Sequence, residues 1–320
     1  MFYNPLWAYN IKNLARFKEN FLCLNDQRLL DTLENKITFR NDFKRLFNFI
    51  PSVTVQAANL STSTVESLFS EFGETLVFQQ EVSSGGAGTF VVSENNFKHV
   101  LEHKNCKFIV SRYLENSVAI NTHIVIFKKE VIVFPGSIQI VEKEGDSLLY
   151  KGGDYLAFRM LPEKNKRRFY DLVRSLAQKL QKRGFRGVCG IDALIDENDR
   201  LYLMEVNPRF QGSSNILDLA LADFGYDSLF KINYEAFVGE DTARINLDLN
   251  DFVVKYSSYS IIKNDYGKNT MLSEIISKSG CFSCDLDGYD KSQKIDDNVY
   301  LYRLIFNSIC PFSTRSVKKG

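Results

Sequence analysis

Between residues 165 and 183, Phe169, Leu172, Val173, Leu176, Ala177 and Leu180 recur at helical spacing, and Gly184 follows them as a stop. This stretch predicts the best-patterned packing helix of the chain. Elsewhere apolar positions alternate in short runs, which predict strands at 53–55, 75–80, 89–92, 108–110, 118–127 and 131–134. Ser83-Ser84-Gly85-Gly86-Ala87-Gly88 joins the second and third of these strands, so they form a hairpin with a glycine-rich tip. Shorter helices are expected at 41–49, ended by Pro51, at the stretch capped by Ser63 or Thr64 and running to Phe72, and near 97–101. Residues 1–35 read as helix, short strand, helix. After about residue 250 the pattern predicts strands at 252–256 and 259–262, a helix near 272–277 and a final apolar stretch at 299–309. Strands and helices are segregated rather than strictly alternating, so the expected class is α+β.

The segment from Gly187 to Arg209 carries the candidate chemistry. Two apolar strands flank Asp196-Glu197-Asn198-Asp199, a cluster of turn formers, and so predict a hairpin. A turn centred between Asn198 and Asp199 pairs residues whose numbers sum to about 397, which sets Asp192 opposite Glu205. Strand alternation then places Leu201, Leu203, Glu205 and Asn207 on one face and Tyr202, Met204 and Val206 on the other. Two carboxylates and an amide oxygen gathered at the open end suit a hard cation such as magnesium. Facing carboxylates repel unless a cation or a raised pKa relieves them. Solvated hairpin residues are the alternative reading of an isolated spacing. The glycine-rich hairpin favours the cation, because its glycines and serines let backbone N–H groups and hydroxyls approach phosphate oxygens. It matches neither G-x-x-x-x-G-K-[ST] nor a dinucleotide fingerprint.

Composition narrows the partners. A chain of 320 residues accommodates two or three lobes. Forty Lys and Arg nearly cancel 39 Asp and Glu, which argues against a nucleic-acid partner and for a small substrate. No run reaches the roughly 18–20 apolar residues of a membrane span, and a cytoplasmic location is expected. Six dispersed cysteines read as reduced thiols, and Cys281 and Cys284 form a single CxxC without a second pair, read as two loop thiols. His123 lies in an apolar alternating strand and reads as an interior histidine.

From about Lys36 to Ser214 the order of these features resembles the ATP-grasp superfamily. Asp192, Glu205 and Asn207 have the separations of the magnesium ligands in its D-alanine:D-alanine ligases, and Glu205-Val206-Asn207-Pro208-Arg209 resembles the superfamily's terminal signature. The resemblance implies an ATP-grasp fold, two α/β lobes clamping ATP. It implies an N-terminal remnant at 1–35, a small lobe at 36–115, a large lobe with the metal site at 116–245 and a C-terminal extension at 246–320. Lys36 looks like the first phosphate-contacting lysine; the second falls by register at Gln79, which carries no charge. Ser84, Gly85 and Gly86 would cover the phosphates, and Arg112, Tyr113 and Leu114 resemble the adenine-contacting hinge. Arg209 would stabilise developing negative charge, with a salt bridge to a neighbouring carboxylate as its alternative role. Ser137, Gln139, Asp154 and Ser213 are candidate substrate contacts. The implied reaction activates a carboxylate as an acyl phosphate and joins it to an amine, using ATP and magnesium, or manganese in its place. A kinase, a carboxylase and a non-catalytic ATP-binding homologue remain open, the last because of Gln79. The short N-terminal segment implies a remnant of a substrate domain or completion of the site by a second copy, as in a homodimer.

Overall fold

The side chain of Asn35 accepts from the backbone N–H groups of Ile37 at 3.0 Å and Thr38 at 3.2 Å, and so separates helix α1 (Gln27–Glu34) from α2 (Lys36–Phe43). The second helix therefore begins before the predicted 41–49 stretch, because this cap satisfies its free N–H groups. It buries Phe39 and Phe43 and starts at Lys36. The computed structural model describes residues 9, 23–83, 88–261, 281, 283–286 and 302–311.

One half of the sheet contains β1 (Ser52–Gln56), β2 (Leu76–Gln80), β3 (Thr89–Val92) and β4 (Lys107–Arg112), in the order β1-β4-β2-β3. Helix α3 (Thr62–Phe72), capped by Ser61 rather than by Ser63 or Thr64, buries Val65 and Leu68 against Phe78, Phe108 and Val110. A 3-10 helix, Phe97–Glu102, stands where a short helix was expected. The other half contains β5 (Val118–Ile126), β6 (Val131–Val133), β7 (Ser137–Glu144), β8 (Ser147–Asp154), β9 (Gly187–Ile195) and β10 (Leu201–Asn207). Its order is β8-β7-β5-β9-β10, with β6 beside β5, and the single pair Phe90 and Ser147 joins β3 to β8. The paired strands run antiparallel, which agrees with the expected α+β class. Helix α4 (Tyr155–Arg159) follows β8. The long α5 (Glu163–Lys182) matches the predicted helix, buries Phe169, Val173, Leu176, Ala177 and Leu180, and is followed by Gly184 at φ +87°. Helices α6 (Ser214–Asp223) and α7 (Leu229–Val238) pack a second cluster on Val125, Phe127 and Val188.

Beyond residue 250 the expectations are only partly met. Residues 251–256 form no ladder, although Phe252, Val254 and Tyr256 are buried; the strand there is β11 (Ser257–Ile261). It pairs with β13 (Tyr302–Phe306), which also pairs with β12 (Ser283–Leu286). Cys284 thus lies on a strand rather than in a loop, because its backbone pairs with Leu304. The predicted helix near 272–277 and nearly all of residues 1–22 lie outside the described residues. Among the described residues no helix is long and apolar enough to cross a membrane.

The β9–β10 hairpin departs from simple alternation at one place. Leu201, Tyr202 and Leu203 pair with Ile195, Leu194 and Ala193; the register then shifts, and Glu205 pairs with Asp192. Met204 is the extra residue of a bulge. The predicted Asp192–Glu205 pairing is present, but the predicted common face of Leu203 and Glu205 is not. Leu201, Leu203 and Val206 enter the core, whereas Met204, Glu205 and Asn207 line the cleft. An unbulged strand would send either a leucine into the cleft or a carboxylate into the apolar core.

Asp154, expected as a substrate contact, is fully buried away from the cleft. Its carboxylate accepts from the N–H of Ala157 at 2.8 Å and the N–H of Cys310 at 2.8 Å, tying β8 and α4 to the segment after β13. We expect Asp154→Ala to lower stability by about 2–4 kcal/mol, since it strands two buried donors. Denaturant unfolding measures this, and an unchanged midpoint would contradict the assignment.

Candidate active site

A cavity of 1220 Å³ opens between the two halves of the sheet. It runs from Arg112, Tyr113 and Leu114 past Met204 to a polar floor. The floor follows one cross-strand row: Asn121 pairs with Asp192 and Asp192 with Glu205, across β5, β9 and β10, and the row continues into the interior at Ser137 on β7, which pairs with Asn121. Equal register sends these side chains to the same side of the sheet.

At the end of this row Asn207 Nδ2 donates to Asp192 Oδ2 at 3.0 Å and to Glu205 Oε1 at 3.4 Å. Lys36 Nζ lies 3.3 Å from Glu205 Oε2 and donates to Ser83 O at 3.0 Å and Ser83 Oγ at 3.4 Å. Arg209 donates from Nη2 to Asn207 Oδ1 at 3.0 Å and pairs through Nε with Glu34 Oε1 at 3.3 Å. The alternative expected of Arg209, a salt bridge, is therefore present, and the same guanidinium lines the cleft.

Burial, and then the charge of Glu205, push the Asp192 carboxyl well above its usual range. Burial also raises Glu205, but Lys36 and the hydrogen bonds from Asp192, Lys36 and Asn207 outweigh it and hold that carboxyl below its usual range. The two shifts run in opposite directions, as the mutual repulsion of two facing carboxyls requires. Asp192 Oδ1 is buried without a hydrogen-bond partner. An orphaned carboxylate oxygen facing a second carboxylate, with an Asn amide beside them, fits a hard divalent cation, which would relieve the repulsion between the two carboxyls. Among the described residues no cluster of three His, Cys, Asp or Glu side chains offers a competing set.

The other expected site residues divide clearly. Gln79 and Gln139 line the cleft, and Gln139 helps to hold down the pKa of Asp192. Ser84, Gly85 and Gly86 lie outside the described residues. At the hinge the Tyr113 N–H is already bonded to Thr75 O at 2.9 Å. Ser137 and Ser213 are fully buried behind the floor, not exposed to the cleft. Ser137 Oγ donates to Asn121 Oδ1, and Asn121 Nδ2 donates to Gln211 Oε1 at 2.9 Å and Ser213 Oγ at 3.4 Å. They are positioned to hold Asn121 and Gln211 rather than a ligand.

Glu34, Arg40 and Asn121 are site residues that pattern reading passes over, whereas Gln211 stands in the Gln211-Gly212-Ser213-Ser214 stretch that the sequence offers as a substrate contact. Arg40 is four residues beyond Lys36 on α2, a spacing that carries weight only once the Asn35 cap is recognised. For Gln211 a further signal is Gly190 inside a strand: a Cβ built there would overlap the Gln211 amide.

A polar, acid-floored cleft between two antiparallel sheet halves, with a hinge strand at its mouth, defines the ATP-grasp class of nucleotide-clamping folds. Residues 33–213 match the ATP-grasp domain family, and the chain belongs to it. Among solved structures it is similar to carboxyaminoimidazole ribonucleotide synthase from Aspergillus clavatus, complexed with ATP, at a TM-score of 0.64 and 13% identity, over 91% of this chain and 72% of that one. The biotin carboxylase domain of the Hydrogenobacter thermophilus 2-oxoglutarate carboxylase superposes at a TM-score of 0.64 and 15% identity, over 92% of this chain and 66% of that one. A curated relative, [butirosin acyl-carrier protein]–L-glutamate ligase of Niallia circulans, is 24% identical over 163 residues, 49% of this chain. The match spans 38% of that relative's length.

His123 sits on β5 with Nε2 2.8 Å from Ser214 Oγ, and burial lowers its pKa from 6.5 to about 4. The folded protein keeps it neutral while the unfolded chain takes up a proton, so it contributes stability above pH 6.5 that is lost as pH falls toward 4. The expected loss is about 3 kcal/mol. Asp192 and Glu34, whose carboxyls are raised, act in the opposite direction. Comparing unfolding of the wild type and His123→Gln across this range isolates the histidine, and identical pH slopes would refute the assignment.

Proposed function

We propose that the chain is an ATP-dependent ligase that activates a carboxylate as an acyl phosphate and joins it to an amine. The observation that carries this reading is the grouping of Asp192, Glu205 and Asn207 on the cleft floor, with Lys36 and Arg209 on either side. Asp192, Glu205 and Asn207 would hold the magnesium ion, which when bound neutralises phosphate oxygens. Lys36 orients the phosphates, Gln79 adds a neutral donor, and the segment 112–114 meets the base. The substrate carboxylate attacks the γ-phosphorus, the bond to the β-phosphate oxygen breaks, and ADP leaves. An amine then forms the C–N bond as phosphate departs, releasing a proton. No side-chain nucleophile is needed; orientation and charge stabilisation suffice, with Arg209 beside the developing negative charge.

Gln139 and Gln211 line the cleft and would meet a substrate carboxylate there, in place of the buried Ser137, Asp154 and Ser213. The curated relative's name describes ligation of L-glutamate to an acyl-carrier protein, which supports an amino acid as one substrate class. A homodimer that completes the substrate site belongs to the same proposal, and light scattering tests it: a strictly monomeric active protein excludes it.

Screening pairs of amino acids, and bicarbonate as an alternative acceptor, for ADP release with product mass spectrometry tests the reaction. We expect release that requires a divalent cation and both substrates, and a loss of roughly 10²–10³-fold in Glu205→Gln. ADP release without an amide product would instead favour a kinase or a carboxylase. A wild-type protein that fails to bind ATP would sink the proposal.

A further inference from the structure

We infer that Arg40 binds the phosphates of the nucleotide and supplies the positive charge that Gln79 lacks. This rests on the reading of the cleft as an ATP site. Arg40 lies one helical turn beyond Lys36 on α2, so both cations project from the same face, and both line the cleft.

The donors of Lys36 are already committed. Its ammonium meets Glu205, Ser83 O and Ser83 Oγ, so much of its charge serves to neutralise the cleft's own carboxylate. Arg40 stands differently. It is only 7% exposed, its Nη1 donates to the neutral Ser52 Oγ at 3.2 Å, and its Nε is buried without a partner. The guanidinium carbon lies 5.6 Å from the Phe49 ring centroid. Arg40 enters no ion pair among the described residues. Glu205 acts on it only through space, and burial lowers its pKa to about 10, which still leaves it charged at neutral pH.

A buried cation with no carboxylate against it weakens the folded state unless something anionic completes it. The cleft is where that anion can arrive. A planar guanidinium with a free N–H suits phosphate oxygens, and its charge-assisted bonds are stronger than any that an amide at position 79 makes.

Titration calorimetry with adenosine, AMP, ADP and ATP, each with magnesium, tests the inference on the wild type, Arg40→Met, Arg40→Gln and the double variant Arg40→Met/Gln79→Lys. Both single variants should lose about 10- to 100-fold in affinity for the phosphorylated ligand that first reaches Arg40, and for its higher homologues. Adenosine binding should be unchanged, and the double variant should recover about tenfold over Arg40→Met. The ligand-free melting temperature of the single variants should not fall, because each removes an uncompensated buried charge. ATP and ADP affinities within twofold of wild type would overturn the inference, as would an equal loss for adenosine, a lowered ligand-free melting temperature or no recovery in the double variant. A wild-type protein that binds none of the four ligands would refute the ATP-site reading itself, which separates that failure from a failure of Arg40 alone.

Discussion

The extra residue at Met204 is the constraint on which the site depends. Leu203 and Val206 must both reach the core, and Glu205 and Asn207 must both reach the cleft, yet strict alternation forbids that arrangement. One unpaired residue shifts the register by a single step and resolves the conflict. Asp192 then meets Glu205 across the strands, and Asn207 can bridge them. The acidic floor is therefore built with no break in the apolar packing beneath it.

Charge compensation follows from that geometry. Two facing carboxylates, one buried and one half-buried, are unfavourable, and the fold surrounds them with Lys36, the Asn207 amide and, one step further out, Arg209. Glu34 in turn compensates Arg209. Each charge is held by the next, so the cluster is ordered before any ligand arrives, which is the condition for stabilising charge without reorganisation. Ser137 and Ser213, buried behind the floor, hydrogen-bond Asn121, which in turn donates to Gln211, and this network fixes the floor from below.

The same accounting separates residues that resemble one another in the sequence. Asp154 and Asp192 are both buried carboxylates at strand positions. Asp154 accepts two backbone N–H groups, whereas one oxygen of Asp192 has no partner. The first holds elements together, and the second is left for a ligand. Spacing alone does not distinguish them, because the donors that satisfy Asp154 include the N–H of Cys310, far along the chain.

Local pattern determined a good deal about this protein. The α5 helix, the hairpin from Gly187 to Asn207, the pairing of Asp192 with Glu205 and the interior position of His123 are legible because periodicity and turn chemistry act over a few residues. Membership of the ATP-grasp family was legible in the order of these motifs. Tertiary structure decided what depends on distant partners: the bulge at Met204, imposed by a core on one side and a cleft on the other; the turning inward of Ser137 and Ser213; and the capture of Asp154 by the segment after β13. It also placed Arg40 and Glu34 beside residues some 165 to 175 positions away along the chain, since burial and charge pairing are properties of the packed molecule and leave no local signature.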